Sequence, residues 1–221
     1  MISADWQYII RHITLFIGGH IALENKLGIL TSAELAREEE RISKKKAVEL
    51  YTKDIIADTE IGRFSGLAKI HDFLFKDIYE FAGRIRNVNI AKGNFRFAPV
   101  MYLKASLEHI DDMPQTTYDE IIEKYVEMNI AHPFREGNGR SARIWLDFML
   151  KKELKLVADW GKVDKADYLL AMERSPIKDV EIKLLLKNAL TDKINDREIY
   201  MRGIDASYYY EGYNVFRTED L

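Results

Sequence analysis

Residues 132–143 read HPFREGNGRSAR, a segment with no counterpart elsewhere in this chain of 221 residues. The helix predicted to begin after Thr117 cannot continue unbroken through Pro133, so His132 is expected at the exit of a helix. A tight turn over residues 137–139 then leads directly into the next predicted helix. The segment therefore predicts a helix–turn–helix corner that carries a His, an acid, an Asn and two Arg.

Each side chain of this corner suits the chemistry of phosphates. Backbone N–H groups of residues 137–139 and of the helix start converge on one point, which favours an anion. Arg140 and Arg143 are three residues apart on the first turn, so both can reach that anion. A carboxylate beside a polyphosphate, here Glu136, implies Mg²⁺. His132 has a pKa suited to accepting a proton, so the corner is predicted to be a nucleotide-phosphate site with a general base.

Two other interpretations of the corner were weighed. Residues 137–142 match the G-x-G-x-x-A dinucleotide pattern, but that pattern must follow a strand, and here a helix precedes it. A purely structural corner with solvent-exposed arginines would explain the glycines equally well. It does not explain why His, acid, Asn and two Arg lie in one short window.

The rest of the chain is predicted to be a helical bundle with one short β-hairpin. Thr31 and Glu34 form a capping-box pair that begins a helix, and Thr117 and Glu120 form another. Apolar–polar alternation over 85–90 and again over 95–97 predicts a hairpin that turns at Gly93 and Asn94. The predicted helices cover about 31–51, 66–82, a segment after Pro99, a segment after Thr117, 138–154, 165–174, 177–192 and 205–210.

Composition narrows the function classes. The chain has 33 Lys and Arg against 36 Asp and Glu, so a nucleic-acid-coating role is not expected. The absence of Cys excludes disulfides, Cys-ligated zinc and thiol catalysis, and it fits a cytoplasmic protein. The apolar run at 13–17 is shorter than the ~20 residues of a membrane helix, so no membrane association is expected. A peripheral helix is favoured there over a targeting segment.

Several charged residues are expected to be structural. The acidic run 38–40 and the basic run 44–46 share one helix, which predicts a solvated, salt-bridged face. His71 is expected to be a core or rim residue, and His109 a surface residue.

The segment 132–143 resembles the Fic-family motif HPF-x-[DE]-G-N-G-R-x-x-R and matches it at every defined position. The resemblance extends upstream through Ile70, His71, Arg86 and the hairpin, and covers about residues 25–215. It implies an all-α Fic-type bundle whose hairpin, at about 86–98, is a flap. Residues 1–23 would be an N-terminal extension, 24–203 the Fic domain, and 204–221 a C-terminal helix and tail.

The resemblance also implies a role for each motif position. His132 would deprotonate a target Ser, Thr or Tyr, and Glu136 would hold Mg²⁺, with Ca²⁺ or Mn²⁺ as alternatives. Arg140 would bind the β-phosphate of ATP, and Arg143 the γ-phosphate. Phe134 would anchor the loop. The remaining residues implied in nucleotide binding are Gly137, Asn138 and Gly139 in the anion hole and Lys92, Gly93, Asn94 and Phe95 in the flap.

Residues 207–212, SYYYEG, are similar to the inhibitory motif [ST]-x-x-x-E-[GN]. This similarity implies the class with a C-terminal inhibitory helix, class III, with Ser207 and Glu211 as regulatory residues. Glu211 would pair with Arg143 in place of the γ-phosphate. The alternative is a solvated Glu on an aromatic core helix.

The function implied is a protein adenylyltransferase that moves AMP from ATP to a protein hydroxyl, itself included, and that Glu211 inhibits. Target proteins would dock on the flap, and apolar positions on the first helices are compatible with a homo-oligomer. Three alternatives stay open: removal of AMP from modified proteins, a different nucleotide donor, and a nucleotide-binding module without turnover.

Overall fold

The computed structural model describes residues 22–53, 59–93 and 95–221. In these ranges the fold is all-α with two small antiparallel strand pairs, as predicted. The helices are α1 (Ser32–Thr52), α2 (Phe64–Phe75), α3 (Val100–Asp112), α4 (Tyr118–Ala131), α5 (Asn138–Leu154), α6 (Lys165–Arg174), α7 (Val180–Asn188) and α8 (Arg197–Tyr210). The strands are β1 (Ala91–Lys92), β2 (Phe95–Arg96), β3 (Val157–Ala158) and β4 (Leu190–Thr191).

Helix α5 is the centre of the bundle. It packs against α2, α4 and α8, and its Trp145, Leu146 and Met149 are fully buried. A helix that is covered on most of its sides belongs to the core rather than to the surface. Because α5 begins directly after the turn at Gly137, the predicted phosphate corner lies on the most firmly packed element of the fold.

Both predicted helix starts are confirmed. Thr31 accepts a hydrogen bond from the Glu34 N–H at 3.4 Å. Thr117 accepts from the Glu120 N–H at 3.3 Å, and the Glu120 carboxylate accepts from the Thr117 N–H at 2.9 Å. The second pair is a complete capping box, so α4 enters the site with a fixed starting point.

Several predicted boundaries were wrong. The second helix ends at Phe75 instead of residue 82, and the Ile78 N–H bonds to the Phe75 carbonyl three residues earlier, which is a turn and not a continued α-helix. The segment predicted as helix over 177–192 is helical only as α7, and residues 190–191 form β4, which pairs with β3. The last helix is longer than predicted, since it begins at Arg197.

The hairpin is shorter than the alternation predicted. Its ladder pairs Ala91 with Arg96 and Lys92 with Phe95. The segment 85–90 is not a strand, because Arg86 is buried and its guanidinium is used by carbonyl groups next to the site.

The prediction of a solvated face for the charge runs on α1 was wrong for three residues. Glu39, Glu40 and Lys44 are buried, with exposed fractions of 1%, 0% and 1%. The C-terminal segment folds back over α1, and the Glu40 carboxylate accepts from the N–H groups at 215 and 216 at 3.0 and 3.2 Å. Buried backbone donors need acceptors, and the Glu40 carboxylate supplies them. His109, by contrast, is exposed as predicted.

The apolar run at 13–17, for which a peripheral helix was predicted, and the flap residue Asn94 lie outside the described residues. In the part of the chain that is described, no helix is both long and apolar enough to cross a membrane.

Candidate active site

A cavity of about 740 Å³ opens at the N-terminus of α5. The end of α4, the hairpin, α6 and the end of α8 form its other walls. It brings together most of the residues predicted for the site: His132, Glu136, Gly137, Asn138, Gly139, Arg140, Arg143, Lys92, Gly93, Phe95 and Glu211. Sequence reasoning missed the lining residues Tyr168, Leu169, Met172 and Tyr213, which form part of the cavity wall.

His132 is held in a conformation that leaves one ring nitrogen able to accept a proton. It ends α4 in the left-handed region, at φ 49° and ψ 62°, and its ring stacks on Phe97 with centroids 3.6 Å apart. Nδ1 lies 3.2 Å from the Asn129 carbonyl, which can only accept, so Nδ1 carries the proton and Nε2 does not. Burial lowers the pKa of His132 to about 4. The imidazole is therefore a neutral base at neutral pH.

Arg86 fixes the exit of α4. Its Nε donates to the His132 carbonyl at 2.8 Å, and its Nη2 donates to the carbonyls of Ala131 and Ala98 at 3.2 and 2.5 Å. The carbonyls of Ala131 and His132 belong to the end of α4, and a helix leaves its last carbonyls without helical partners. No role was predicted for Arg86, because only the folded chain brings it to this helix end.

The loop between α4 and α5 is closed by two buried rings and an amide. Phe134 is 0% exposed and stacks on His71 at 3.8 Å. His71 accepts from the Gly83 N–H and donates from Nε2 to the Glu136 carbonyl at 2.8 Å, which confirms its predicted structural role. Both polar atoms of the Asn138 side chain bond the Phe134 backbone, at 2.8 and 2.7 Å. Asn138 thus shapes the loop that presents the helix N-terminus.

Arg140 lies beneath the cavity floor. Its side chain is 0% exposed and is held between Glu39 of α1 and Glu136, whose Oε1 is 3.0 Å from Nη2. The rings of Phe75 and Tyr213 lie 4.9 and 4.6 Å from its guanidinium carbon. Burial alone would lower the pKa of Arg140, but Glu39, Tyr213 and Glu136 together outweigh it and raise the pKa well above its ordinary value. The guanidinium stays charged.

Glu211 lies directly over the start of α5. Its Oε1 accepts from Arg143 at 2.9 Å, and its Oε2 accepts from Lys92 of the hairpin at 3.0 Å. Arg143 also donates to the hydroxyl and the carbonyl of Ser207, at 2.7 and 2.9 Å. Burial would raise the pKa of Glu211, but Arg143 and Lys92 outweigh it and lower the pKa to about 2. The predicted contact between Glu211 and Arg143 is present, and Ser207 and Lys92 complete the cluster.

Glu136 is the residue that fits a metal ion here. Its side chain is 45% exposed, and Oε1 accepts from the Gly137 N–H at 3.0 Å. Within the described ranges, no group of three or more His, Asp or Glu side chains is arranged to hold a metal ion. Mg²⁺ commonly binds one or two carboxylates together with substrate phosphates, and a half-exposed carboxylate beside a helix N-terminus suits that mode.

The chain is similar in sequence and in fold to several known proteins. The chain is 28% identical to "Protein adenylyltransferase VbhT" of Bartonella schoenbuchensis. The match covers 86% of this chain but only 44% of that protein. The chain is 29% identical to "Probable protein adenylyltransferase y4lH" of Sinorhizobium fredii, over 72% of this chain and 84% of that one. The crystal structure of BepC from Bartonella tribocorum, with bound AMPPNP, shares the fold with a TM-score of 0.64 at 19% identity, over 79% of this chain and 94% of that one.

Residues 64–150 match the family model described as Fic/DOC. This range runs from the start of α2 to the core of α5 and includes the hairpin and the whole of HPFREGNGRSAR. Over residues 64–150, the chain is therefore similar to the Fic/DOC family.

Proposed function

We propose that this protein transfers AMP from ATP to a hydroxyl group of a protein side chain, its own included, and that Glu211 inhibits the transfer. The observation that carries the proposal is the placement of a neutral base, His132, and the N-terminus of α5 on one cavity. The relatives named protein adenylyltransferases support it, as do related structures that hold AMPPNP or ADP.

The cavity offers complementary surfaces to the two halves of ATP. The phosphates would lie at the start of α5, where the first backbone N–H groups of a helix and its dipole favour anions. The adenosine would lie against the apolar side chains of Leu169 and Met172 on α6. Phe95 of the hairpin would cover it from the opposite wall.

The reaction then needs a base and charge stabilisation. His132 Nε2 takes the proton of the attacking hydroxyl, whose oxygen forms a bond to the α-phosphorus while the bond to the bridging oxygen breaks and pyrophosphate leaves. Arg143 and the start of α5 stabilise the negative charge on the phosphates. Mg²⁺ at Glu136 would supply further neutralisation of the phosphates.

Glu211 would inhibit by occupying the place of a phosphate. Its carboxylate pairs with the Arg143 guanidinium, which would otherwise bind a terminal phosphate. A second anion at the same point would repel the triphosphate. ATP could bind, but its α-phosphate would be misaligned with the base. This contact is the structural basis for proposing the class with a C-terminal inhibitory helix.

The hairpin would hold the target segment. Its two short strands leave edge groups for an added strand, a common way to bind an extended peptide. Phe95 of β2 packs edge-on against Phe97 at 5.1 Å, and Phe97 stacks on His132. A peptide on this edge would therefore bring its hydroxyl near the base.

The test is intact-mass spectrometry after incubation with ATP and Mg²⁺, and in parallel with Ca²⁺ or Mn²⁺. We expect an AMP-sized gain that is about tenfold or more faster in Glu211→Gly, because charge-assisted contacts of Glu211 are lost. His132→Ala should abolish the gain in either background. Glu219→Gly, at an exposed glutamate near the C-terminus, is the control. Equal rates in wild type and Glu211→Gly would contradict inhibition by Glu211.

The reverse reaction is a second candidate, because Glu211 and His132 line the same cavity. Glu211 would position a water that attacks the α-phosphorus, and His132 Nε2 would take the proton of that water and pass it to the oxygen of the departing side-chain hydroxyl. Loss of AMP from pre-modified protein in the wild type, but not in Glu211→Gly, would favour removal. If no variant gains mass from ATP, UTP and other donors are the next substrates to test.

A further inference from the structure

We propose that Glu39 is a positioning residue for the phosphate site and that it acts through Arg140. Glu39 lies on α1, 101 residues before Arg140, and outside both residues 64–150 and the segments 132–143 and 207–212. The inference rests on the proposed function, since it assigns Glu39 a part in nucleotide binding.

Both carboxylate oxygens of Glu39 are engaged inside the protein. Oε1 accepts from Arg140 Nη1 and from the Tyr213 hydroxyl, the latter at 2.9 Å, while Oε2 accepts from the Tyr79 hydroxyl. The residue is 1% exposed. A buried carboxylate is costly unless it is paired and hydrogen-bonded, so this degree of satisfaction gives it one fixed orientation.

Arg140 in turn depends on Glu39 for its counter-charge. Its guanidinium is 0% exposed, and its other acidic partner, Glu136, is 45% exposed. Nη1 is held by Glu39 on one side and Nη2 by Glu136 on the other. The two carboxylates therefore share one buried cation.

This sharing has a consequence for Glu136. If Glu39 lost its charge, the buried guanidinium would have Glu136 as its one remaining acidic partner among the described residues. Glu136 would then be drawn inward to Arg140 and away from the cavity. The groups next to the phosphates would lose their arrangement, although Glu39 itself touches no substrate.

A purely structural role for Glu39 predicts a different pattern. A loosened core would weaken binding of every nucleotide to a similar extent. If Glu39 has a positioning role, it acts on the phosphates beyond the first. Its substitution should therefore weaken the binding of ADP far more than the binding of AMP. The ratio of the two dissociation constants separates these cases.

The experiment is calorimetric titration of ADP and AMP, each with Mg²⁺, into Glu211→Gly and into Glu211→Gly carrying Glu39→Gln. We expect ADP binding to weaken about tenfold or more, as for loss of a charge-assisted contact, and AMP binding to change by less than about threefold. Glu38→Gln, at the neighbouring residue that pairs with Arg41 at the surface, is the matched control. Equal weakening of both nucleotides, or none, would overturn the inference.

A double substitution keeps the test valid if Glu39→Gln alone does not fold. Removing both buried charges together is commonly better tolerated than removing one. If Glu39 acts through Arg140, the double variant Glu39→Gln with Arg140→Met should have the same ratio of dissociation constants for ADP and AMP as Arg140→Met alone. A further change in the ratio would overturn the proposed route. Failure of ADP to bind Glu211→Gly itself would overturn the proposed function, and the inference with it.

Discussion

Gly137 and Gly139 occupy the same turn for different physical reasons. Gly137 has a φ of 80°, and a Cβ there would lie 2.5 Å from the Phe75 ring. Gly139 is helical, and a Cβ there would overlap the Glu211 carboxylate. The first glycine is needed for backbone conformation and packing, whereas the second leaves room for an anion over α5.

Gly137→Ala should destabilise the fold in two ways. The left-handed conformation costs about 1–2 kcal/mol for a residue with a Cβ, and overlap with Phe75 adds about 1–3 kcal/mol. Gly28→Ala is a matched control, because Gly28 has a φ of 70° but no heavy atom within 4 Å of an added Cβ. Urea unfolding should show the larger loss for Gly137→Ala. Equal losses would contradict the packing argument.

Among single residues, the sequence predicts those whose role depends only on their neighbours within the segment 132–143. His132, Glu136 and Arg143 line the cavity as expected. Glu39 and Arg86 were missed because their importance depends on which distant group each one meets. An acidic run on a helix has the same pattern whether it is solvated or buried, and only the C-terminal segment that covers α1 distinguishes the two cases.

An ion pair joins the hairpin to Glu211, the residue that follows α8. Lys92 reaches Glu211 at 3.0 Å, although its side chain is 64% exposed. The sequence predicted the turn of this hairpin and the end of α8, where glycines and the aromatic run give local signals. It missed the true strand and helix limits, because tertiary partners of Arg86 and residues 190–191 outweigh the local pattern.

Lys92→Ala should free Glu211 only slightly. Exposed ion pairs contribute less than about 1 kcal/mol, so we expect self-modification at saturating ATP to rise no more than about fivefold. The rise in self-modification should stay below that of Glu211→Gly, because Glu211→Gly also loses the contact with Arg143. Lys104→Ala, at an exposed lysine of α3, is the control. A rate below wild type would instead indicate that Lys92 serves the nucleotide.

Across the whole molecule, α5 separates two cavities. Behind the site lies a second cavity of about 450 Å³, whose lining includes Arg143, Ser207 and Asp147. The Asp147 carboxylate accepts from the Ala158 N–H at 3.0 Å and from the Trp160 indole at 2.8 Å. The bundle architecture was predictable from helical periodicity. A buried acid on the back of the central helix was not, because its neighbours come from β3 and the residues after it.

Asp147 should give the fold a measurable pH dependence. Burial raises its pKa from 3.8 to about 7. The folded state therefore binds more protons than the unfolded state between these values, so this group's contribution to stability falls as pH rises from about 4 to about 7. Asp147→Asn should remove that part of the slope, measured by urea unfolding from pH 5 to pH 8. Asp112→Asn is the surface control, and an unchanged slope in Asp147→Asn would contradict the assignment.

The space above Gly139 has an evolutionary consequence. The Glu211 carboxylate and the proposed phosphate site occupy the same space next to the start of α5, and the absence of a side chain at Gly139 keeps this space open. A mutation that added a side chain at 139 would displace the Glu211 carboxylate and obstruct the proposed phosphate site in one step. Under the proposed inhibition, gain-of-function alleles should therefore arise at Glu211, which directly follows α8, or at the residues that hold α8 in place, while alleles at 139 should be inactive.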